Sequence, residues 1–515
     1  MKKILGIELG STRIKAVLIN ERSAVLAEGS YEWENSLVGG LWSYALEDID
    51  AGLQASFASL SKSYATKFGE PLESVDAIGI SGMMHGYLAF DKNCKLLVPF
   101  RTWRNTNTAV AADELCEKFD FNVPMRWSVS HYYHAILMGE EHVGDVDFLT
   151  TLSGYVHYRL SGKRVLGVGD ASGMFPVLDG NYDKKMLNTF NEMLRNHGID
   201  RPFESVLPRV LLAGEDAGNL TEDGAALLDP SGTLRAGAPM CPPEGDGGTG
   251  MVATNCVMPK SANVSAGTSA FLMAVLDDRL RFNSKDIDVV CTPHGKHVAM
   301  VHVNNFTSEM TAWANLFEQV IALSGGKMNR GDLFEALYNK SLEADADVGG
   351  LVGYNFVSSE PFVGAQSGGP MIARTPTGKL TLANFMKASI YSALGSFAMV
   401  CEILAEKNVV IKEVCGHGGF FKTPFVGQSA MSAAVGAPIT VMKNAGEGGA
   451  WGIALLALFR ISGVSDLERF LAKIFESAEK TTVSAGVDER ASFAKFLEKY
   501  KACLPSEVLL TELIK

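Results

Sequence analysis

Asp246 stands alone among glycines in Pro243-Glu244-Gly245-Asp246-Gly247-Gly248-Thr249-Gly250, and two similar turns lie far from it, Glu8-Leu9-Gly10-Ser11-Thr12 and Ser265-Ala266-Gly267-Thr268-Ser269. A carboxylate flanked by residues without side chains can be approached by two substrates at once, which suits a general base that takes a proton from an attacking hydroxyl. Turns of glycine, serine and threonine offer backbone N–H groups and hydroxyls, and Lys15 lies close to the first of them. That is what a phosphate tail needs from a hairpin. One base and two phosphate cradles point to phosphoryl transfer. An isolated Asp-Gly pair is also a favoured turn, so the second copy of the cradle carries the reading.

Other motifs narrow it. Gly245-x-Gly247-x-x-Gly250 matches the dinucleotide fingerprint in form, but Pro242-Pro243 occupy the place of a central strand and the pattern that follows is a poor helix. No G-x-x-x-x-G-K-[ST] segment occurs, which excludes a P-loop. His85, in the glycine-flanked segment Ser81-Gly82-Met83-Met84-His85-Gly86, is a candidate small-ligand contact. His131/His134 and His294/His297 lack cysteine or carboxylate company and are not read as metal sites.

The elements that must position these residues alternate between strand and helix. Residues 4–19 and 261–276 each read as two short strands around a small polar turn. Placing Gly10 on Gly267 gives an offset of almost half the chain, as a duplicated domain would. Trp42, Ala45, Ile49, Leu53, Phe57, Leu60 and Tyr64 recur at helical spacing ahead of a strand at 75–80, and Leu382 to Leu404 repeats the pattern ahead of a strand at 409–415. Both strands run into glycine, where ligands of α/β sheets collect. The hinge is expected near 250–262, and the tail from Ser465 reads as helical.

A chain of 515 residues exceeds one hydrophobic core, so two domains of similar size are expected. A composition 47% hydrophobic and 20% charged is that of a packed globular protein. The net charge of -12, with no basic stripe, argues against nucleic acid. Eight cysteines without a C-x-x-C pair read as reduced thiols of a cytoplasmic protein. No signal-peptide core is present. The late apolar stretch Gly449 to Phe459 is short of the roughly 18 residues a membrane span requires.

Taken together, these segments resemble the FGGY family of carbohydrate kinases, of the sugar kinase, Hsp70 and actin superfamily. Ser81 to Gly86 is similar to the S-G-Q-M-H-G segment of its xylulokinase branch. The resemblance extends through Gly154-Tyr155-x-x-Tyr158-Arg159-Leu160-Ser161-Gly162, Asp170-Ala171-Ser172-Gly173, the Asp246 loop, Gly267 to Ser269, and Gly418-Gly419-Phe420-Phe421-Lys422-Thr423-Pro424. It implies an α/β chain of two RNase H-like, actin-like ATPase domains with a ligand cleft between them. Residues 1–256 would bind sugar and supply the base, and 257–515 would bind nucleotide. By motif, Asp246 would be the catalytic base, and Glu8 with Asp246 would attend Mg2+. Gly10, Ser11, Thr12, Lys15, Gly267, Thr268 and Ser269 would hold the phosphates of ATP, with Gly418 and Gly419 against adenine. Met84, His85, Trp103 and Arg104 would face the sugar together with Asp246.

The implied activity is ATP-dependent phosphorylation of a small ketose, with a pentulose such as D-xylulose first. Another sugar (L-ribulose, L-xylulose, a tetrulose or a polyol) is the nearest alternative. A conformational ATPase of the same superfamily is a rival of another class, and an NAD-dependent dehydrogenase a distant third. No nucleic-acid or membrane partner is implied, and a homodimer only by family analogy. Four departures from the family pattern matter. Glu8 stands where an aspartate is usual, Phe420 replaces a glycine and would narrow the adenine side, Trp103-Arg104-Asn105-Thr106-Asn107 replaces W-N-D-G-R, and Ser130-His131-Tyr132-Tyr133-His134 lacks the usual lysine.

Overall fold

The computed structural model describes residues 1–277, 284–442 and 448–514. The chain forms two compact units. The first takes Met1–Met258 with segments within 278–299 and 447–477, and the second takes Pro259–Asp277, Met300–Gly446 and Ala478–Lys515.

In the first unit, β1 (Ile4–Leu9), β2 (Arg13–Ile19), β3 (Val25–Glu32), the helix α1 (Leu46–Phe68), β4 (Ala77–Gly82), β5 (Glu244–Gly245) and the helix α2 (Asp246–Ala253) carry the site. The five strands lie in the order β5-β4-β1-β2-β3. β1 runs antiparallel to β2 and parallel to β4, and β4 is parallel to β5. β1 is aliphatic almost throughout because both of its faces are covered. α1 packs one stripe inward, with Ile49, Leu53, Phe57, Leu60 and Tyr64 all buried. Each such side chain contributes roughly 1.5–3 kcal/mol on burial. The helix stops at Gly69, whose φ of 75° permits the left-handed cap that most side chains resist.

The expected start of α1 is corrected at Trp42 and Ala45. Trp42 lies in a small hairpin, Ser36–Val38 with Leu41–Ser43, and Ala45 is the residue before the first helical turn. The strand expected at 75–80 runs from Ala77 to Gly82, because its ladder with β1 begins at Ile4↔Ala77 and ends at Leu9↔Gly82. Register with the neighbour sets its ends, not its hydrophobicity. The poor helix expected after Pro243 is also corrected, since α2 begins at Asp246 despite its glycines. A core helix, Gly448–Arg460, packs against it. It lies so close that a Cβ on Gly452 would meet the Thr249 carbonyl oxygen at 2.1 Å, and a Cβ on Gly6 of β1 would meet the Ala450 carbonyl oxygen at the same distance. Residues without side chains are what this approach requires.

The second unit repeats the plan. Its elements are β6 (Ser261–Ala266), β7 (Ala270–Val275), β8 (His297–Val303), α3 (Leu382–Glu406), β9 (Glu413–His417), α4 (Val426–Val435), β10 (Ile439–Met442), β11 (Lys480–Val483) and α5 (Val487–Leu513). Its strands follow the order β8-β7-β6-β9-β10-β11. β6 is antiparallel to β7 and parallel to β9, as β1 is to β2 and β4. The repeated hairpin is therefore the opening of a repeated sheet. β11, antiparallel to β10, corrects the helical reading of the tail from Ser465. The strand expected at 409–415 begins only at Glu413.

α3 corrects the expectation for apolar stretches. It is long and apolar enough to cross a bilayer by length and composition, yet 78% of its most apolar window is buried inside the protein. It is read here as a core helix.

Candidate active site

The first cradle is built by its hairpin and by two aromatic residues. Gly10 N donates to Arg13 O at 2.9 Å and closes the turn. Trp33 Nε1 donates to Gly10 O (2.7 Å), Tyr44 Oη to Ser11 O (2.7 Å) and Trp33 N to Thr12 O (3.2 Å). With its carbonyls tied down, the turn leaves the Ser11 and Thr12 N–H groups without an acceptor among the described residues, on a partly open surface. Such unclaimed amides favour an anion. The second cradle follows the same logic. Thr307 Oγ1 donates to Gly267 O (2.6 Å), and Phe306 N to Thr268 O (2.9 Å).

Glu8 and Lys15 face each other across the β1–β2 ladder, so their side chains share one face of the sheet. Lys15 Nζ also lies 3.1 Å from Glu28 Oε1. Glu8 Oε2 accepts from Ala450 N at 3.1 Å, at the N-terminus of the Gly448–Arg460 helix. Burial first, then the charge of Asp246, push its carboxyl up to about 7, while the Ala450 and Gly449 amides and Lys15 oppose the rise.

Asp246 begins α2 directly after β5. Its Oδ1 accepts from Gly247 N (2.9 Å) and Met84 N (3.2 Å). The side chain keeps exposed surface, although the protein around it raises its carboxyl above the ordinary value against the pull of those two amides. The result is an accessible, oriented carboxylate with one oxygen committed to the backbone.

The Met84 bond brings the His85 turn to Asp246. His85 is buried, and its φ of 68° is a strained backbone of the kind found at ligand sites. Burial, and then the Arg126 charge, hold its pKa down to about 3. The ring is thus neutral, and its contact with Gly173 O at 3.2 Å makes Nδ1 the protonated nitrogen, because a carbonyl can only accept. Nε2 is left as an acceptor. Trp127 stacks beside the ring, with centroids 6.3 Å apart.

Met84, His85 and Asp246 are joined by direct bonds, and Trp103 and Arg104 are not joined to them by any contact among the described residues. Both sit on an exposed loop that pairs with Tyr87 through Tyr87 N→Arg101 O (2.8 Å). The Arg104 guanidinium lies 4.1 Å over the Trp42 ring and bonds Asn35 Oδ1 at 3.1 Å. In the second unit, Gly418 has φ 107°, and a Cβ there would meet Ala266 O at 2.3 Å, whereas Gly419 faces open space. The expectation for Phe420 is corrected. It is 1% exposed and packs on Phe306 and Tyr338, turned into the core and away from any surface it could narrow. Phe425 is the aromatic that stands out instead, 59% exposed with φ 66°.

Two further carboxyls lie close to Asp246, and no sequence motif assigns them a part. Asp170 and Glu244 are both buried, with carboxyls pushed by burial up to about 7 and about 8. In the sequence Asp170 stands out only as part of Asp170-Ala171-Ser172-Gly173, and Glu244 only as a neighbour of Asp246. The described residues hold no cluster of three His, Cys, Asp or Glu placed for a metal. Glu8 and Asp246 are two carboxylates that sense one another, which suits Mg2+, an ion that keeps its waters and relies on one or two carboxylates plus phosphates.

Two family models match the chain, the N-terminal domain of the FGGY family of carbohydrate kinases over residues 3–238 and its C-terminal domain over 262–461. A xylulose kinase of Haemophilus influenzae is 22% identical over 443 residues, 83% of each chain. Among solved structures, gluconate kinase from Lactobacillus acidophilus superposes with TM-score 0.80 at 16% identity, covering 100% of both chains. Plasmodium falciparum glycerol kinase with ADP superposes with TM-score 0.75 at 13% identity, covering 100% of this chain and 99% of that one. The two-domain, actin-like ATPase fold is shared, and the neighbours' names carry different substrates.

Proposed function

Since this chain belongs to the FGGY family of carbohydrate kinases, we propose that it transfers the γ-phosphoryl group of ATP to a hydroxyl of a small ketose, a pentulose such as D-xylulose first. The observation that carries this reading is the bond from Met84 N to Asp246 Oδ1, which sets an accessible carboxylate beside the neutral ring of His85. The match to a xylulose kinase over most of the chain supports the pentulose.

In this reading Asp246 accepts the proton of the attacking hydroxyl through the oxygen not held by the backbone. His85 Nε2 accepts a hydrogen bond from a second hydroxyl and fixes the acceptor's orientation. The Gly10–Thr12 turn in the first unit and the Gly267–Ser269 turn in the second offer their amides to the phosphates, where negative charge must be met in transfer. Gly418, Gly419 and the exposed ring of Phe425 serve the adenine. Mg2+ bound with the nucleotide supplies charge neutralisation, and Glu8 and Asp246 are the residues that would hold it. The boundary near 257 is proposed as the division between sugar and nucleotide work.

The test is ADP release measured over a panel of ketoses, polyols and sugar acids. Stimulation by one pentulose supports the proposal, stimulation by a different acceptor moves the substrate, and sugar-independent hydrolysis overturns it in favour of a conformational ATPase.

A further inference from the structure

Resting on the assignment of Asp246 and His85 to the acceptor side, we infer that Asp170 is a positioning residue which, with Glu244, ties the strand end bearing Asp246 to the turn bearing His85. Asp170 lies on the short helical turn Val168–Ala171 and is 0% exposed. Its Oδ2 accepts from Thr151 Oγ1 at 2.6 Å and from Ser153 Oγ. Those hydroxyls open the helix Leu152–Ser161, which Thr151 caps through Gly154 N. The carboxyl therefore fixes the turn to a rigid element.

The turn reaches both functional residues. On one side, Asp170 N donates to Glu244 Oε2 at 2.9 Å and Gly169 N to Oε1 at 3.3 Å, so the Glu244 side chain caps the turn. Glu244 is in β5, separated from Asp246 by Gly245 alone, and a Cβ on Gly245 would lie 3.3 Å from Asp170 Oδ1 and 2.2 Å from Met84 Cγ. No slack remains there. On the other side, Gly173 N donates to Asp170 O at 3.0 Å, and Gly173 O holds His85 Nδ1. Both residues thus connect to one turn through the backbone N and O of Asp170, and the Asp170 carboxyl fixes that turn to the helix Leu152–Ser161.

Two measurements on the full chain test this. In Asp170→Ala, kcat with the acceptor that the panel identifies falls and the acceptor KM rises, a combined loss on the order of 10²-fold for misplaced groups, while the ATP KM is unchanged. Asp170→Asn, which keeps an oxygen for Thr151, recovers much of the loss. The pair Thr151→Val with Ser153→Ala, which leaves the carboxyl in place, shifts kinetics in the same direction. Hydrogen exchange read on peptides covering 83–86 and 244–249 quickens in each weakened variant, and this readout holds whatever the acceptor proves to be. If the wild type phosphorylates no sugar, the kinase reading fails while exchange still decides the positioning. Wild-type kinetics and exchange in folded Asp170→Ala overturn the inference, and if that variant does not fold, the same result in the Thr151/Ser153 pair overturns it.

Discussion

At the scale of single residues, the acceptor side is decided by which atoms are already spoken for. Asp246 commits one oxygen to two amides, and His85 commits Nδ1 to a carbonyl, so one oxygen and one ring nitrogen remain for a ligand. Removing the free acceptor of His85 should cost about one hydrogen bond, roughly 0.5–1.5 kcal/mol. His85→Ala is expected to raise the acceptor KM by up to about tenfold with the ATP KM unchanged, measured by steady-state kinetics. An ATP KM that rose instead would place His85 on the nucleotide side. The exposure of Asp246 was legible, because a carboxylate among glycines has little around it to cover it. The tautomer of His85 was not legible, since it depends on Gly173, 88 residues away.

At the scale of elements, the two turns show what would let a short turn serve as a phosphate site. Their carbonyls are bound from outside, by Trp33 and Tyr44 in one case and by Phe306 and Thr307 in the other, and the amides are left over. The hairpins themselves could be read from sequence because apolar runs flank a small polar turn. What ties their carbonyls could not, because those residues come from later elements. The same holds for Gly452 of the Gly448–Arg460 helix, whose missing side chain is explained only once Thr249 of α2 lies against it. Gly418 is where the second unit allows least change, with φ 107° and the Ala266 carbonyl 2.3 Å from a Cβ. Gly418→Ala is expected to destabilise by at least about 1–3 kcal/mol, the scale of a strained backbone residue, read from urea unfolding. Gly419→Ala, with open space around it, should leave stability nearly unchanged, and equal losses at the two positions would contradict this account of the loop.

At the scale of the whole molecule, both units build their sheets on an antiparallel hairpin with a parallel strand beside it, and the second unit also buries a carboxyl outside the candidate site. Glu507 on α5 is 0% exposed, neither of its oxygens has a partner among the described residues, and burial pushes its carboxyl from 4.5 up to about 7. The fold therefore prefers its neutral form. Its stability is complete while the unfolded carboxyl is also protonated, and is lost as pH rises from about 4.5 to about 7. Glu507→Met should melt above wild type at pH 8, with the gap narrowing towards pH 5, and a wild type that melts higher at both would show that the carboxyl has an unseen partner. The central claim is that one carboxylate takes the acceptor's proton. Its most direct measurement compares sugar-dependent ADP release by wild type and Asp246→Ala, with ATP binding followed by calorimetry. The account predicts that turnover falls by roughly 10²- to 10⁴-fold while ATP still binds. A variant that kept the full sugar-dependent rate would contradict it.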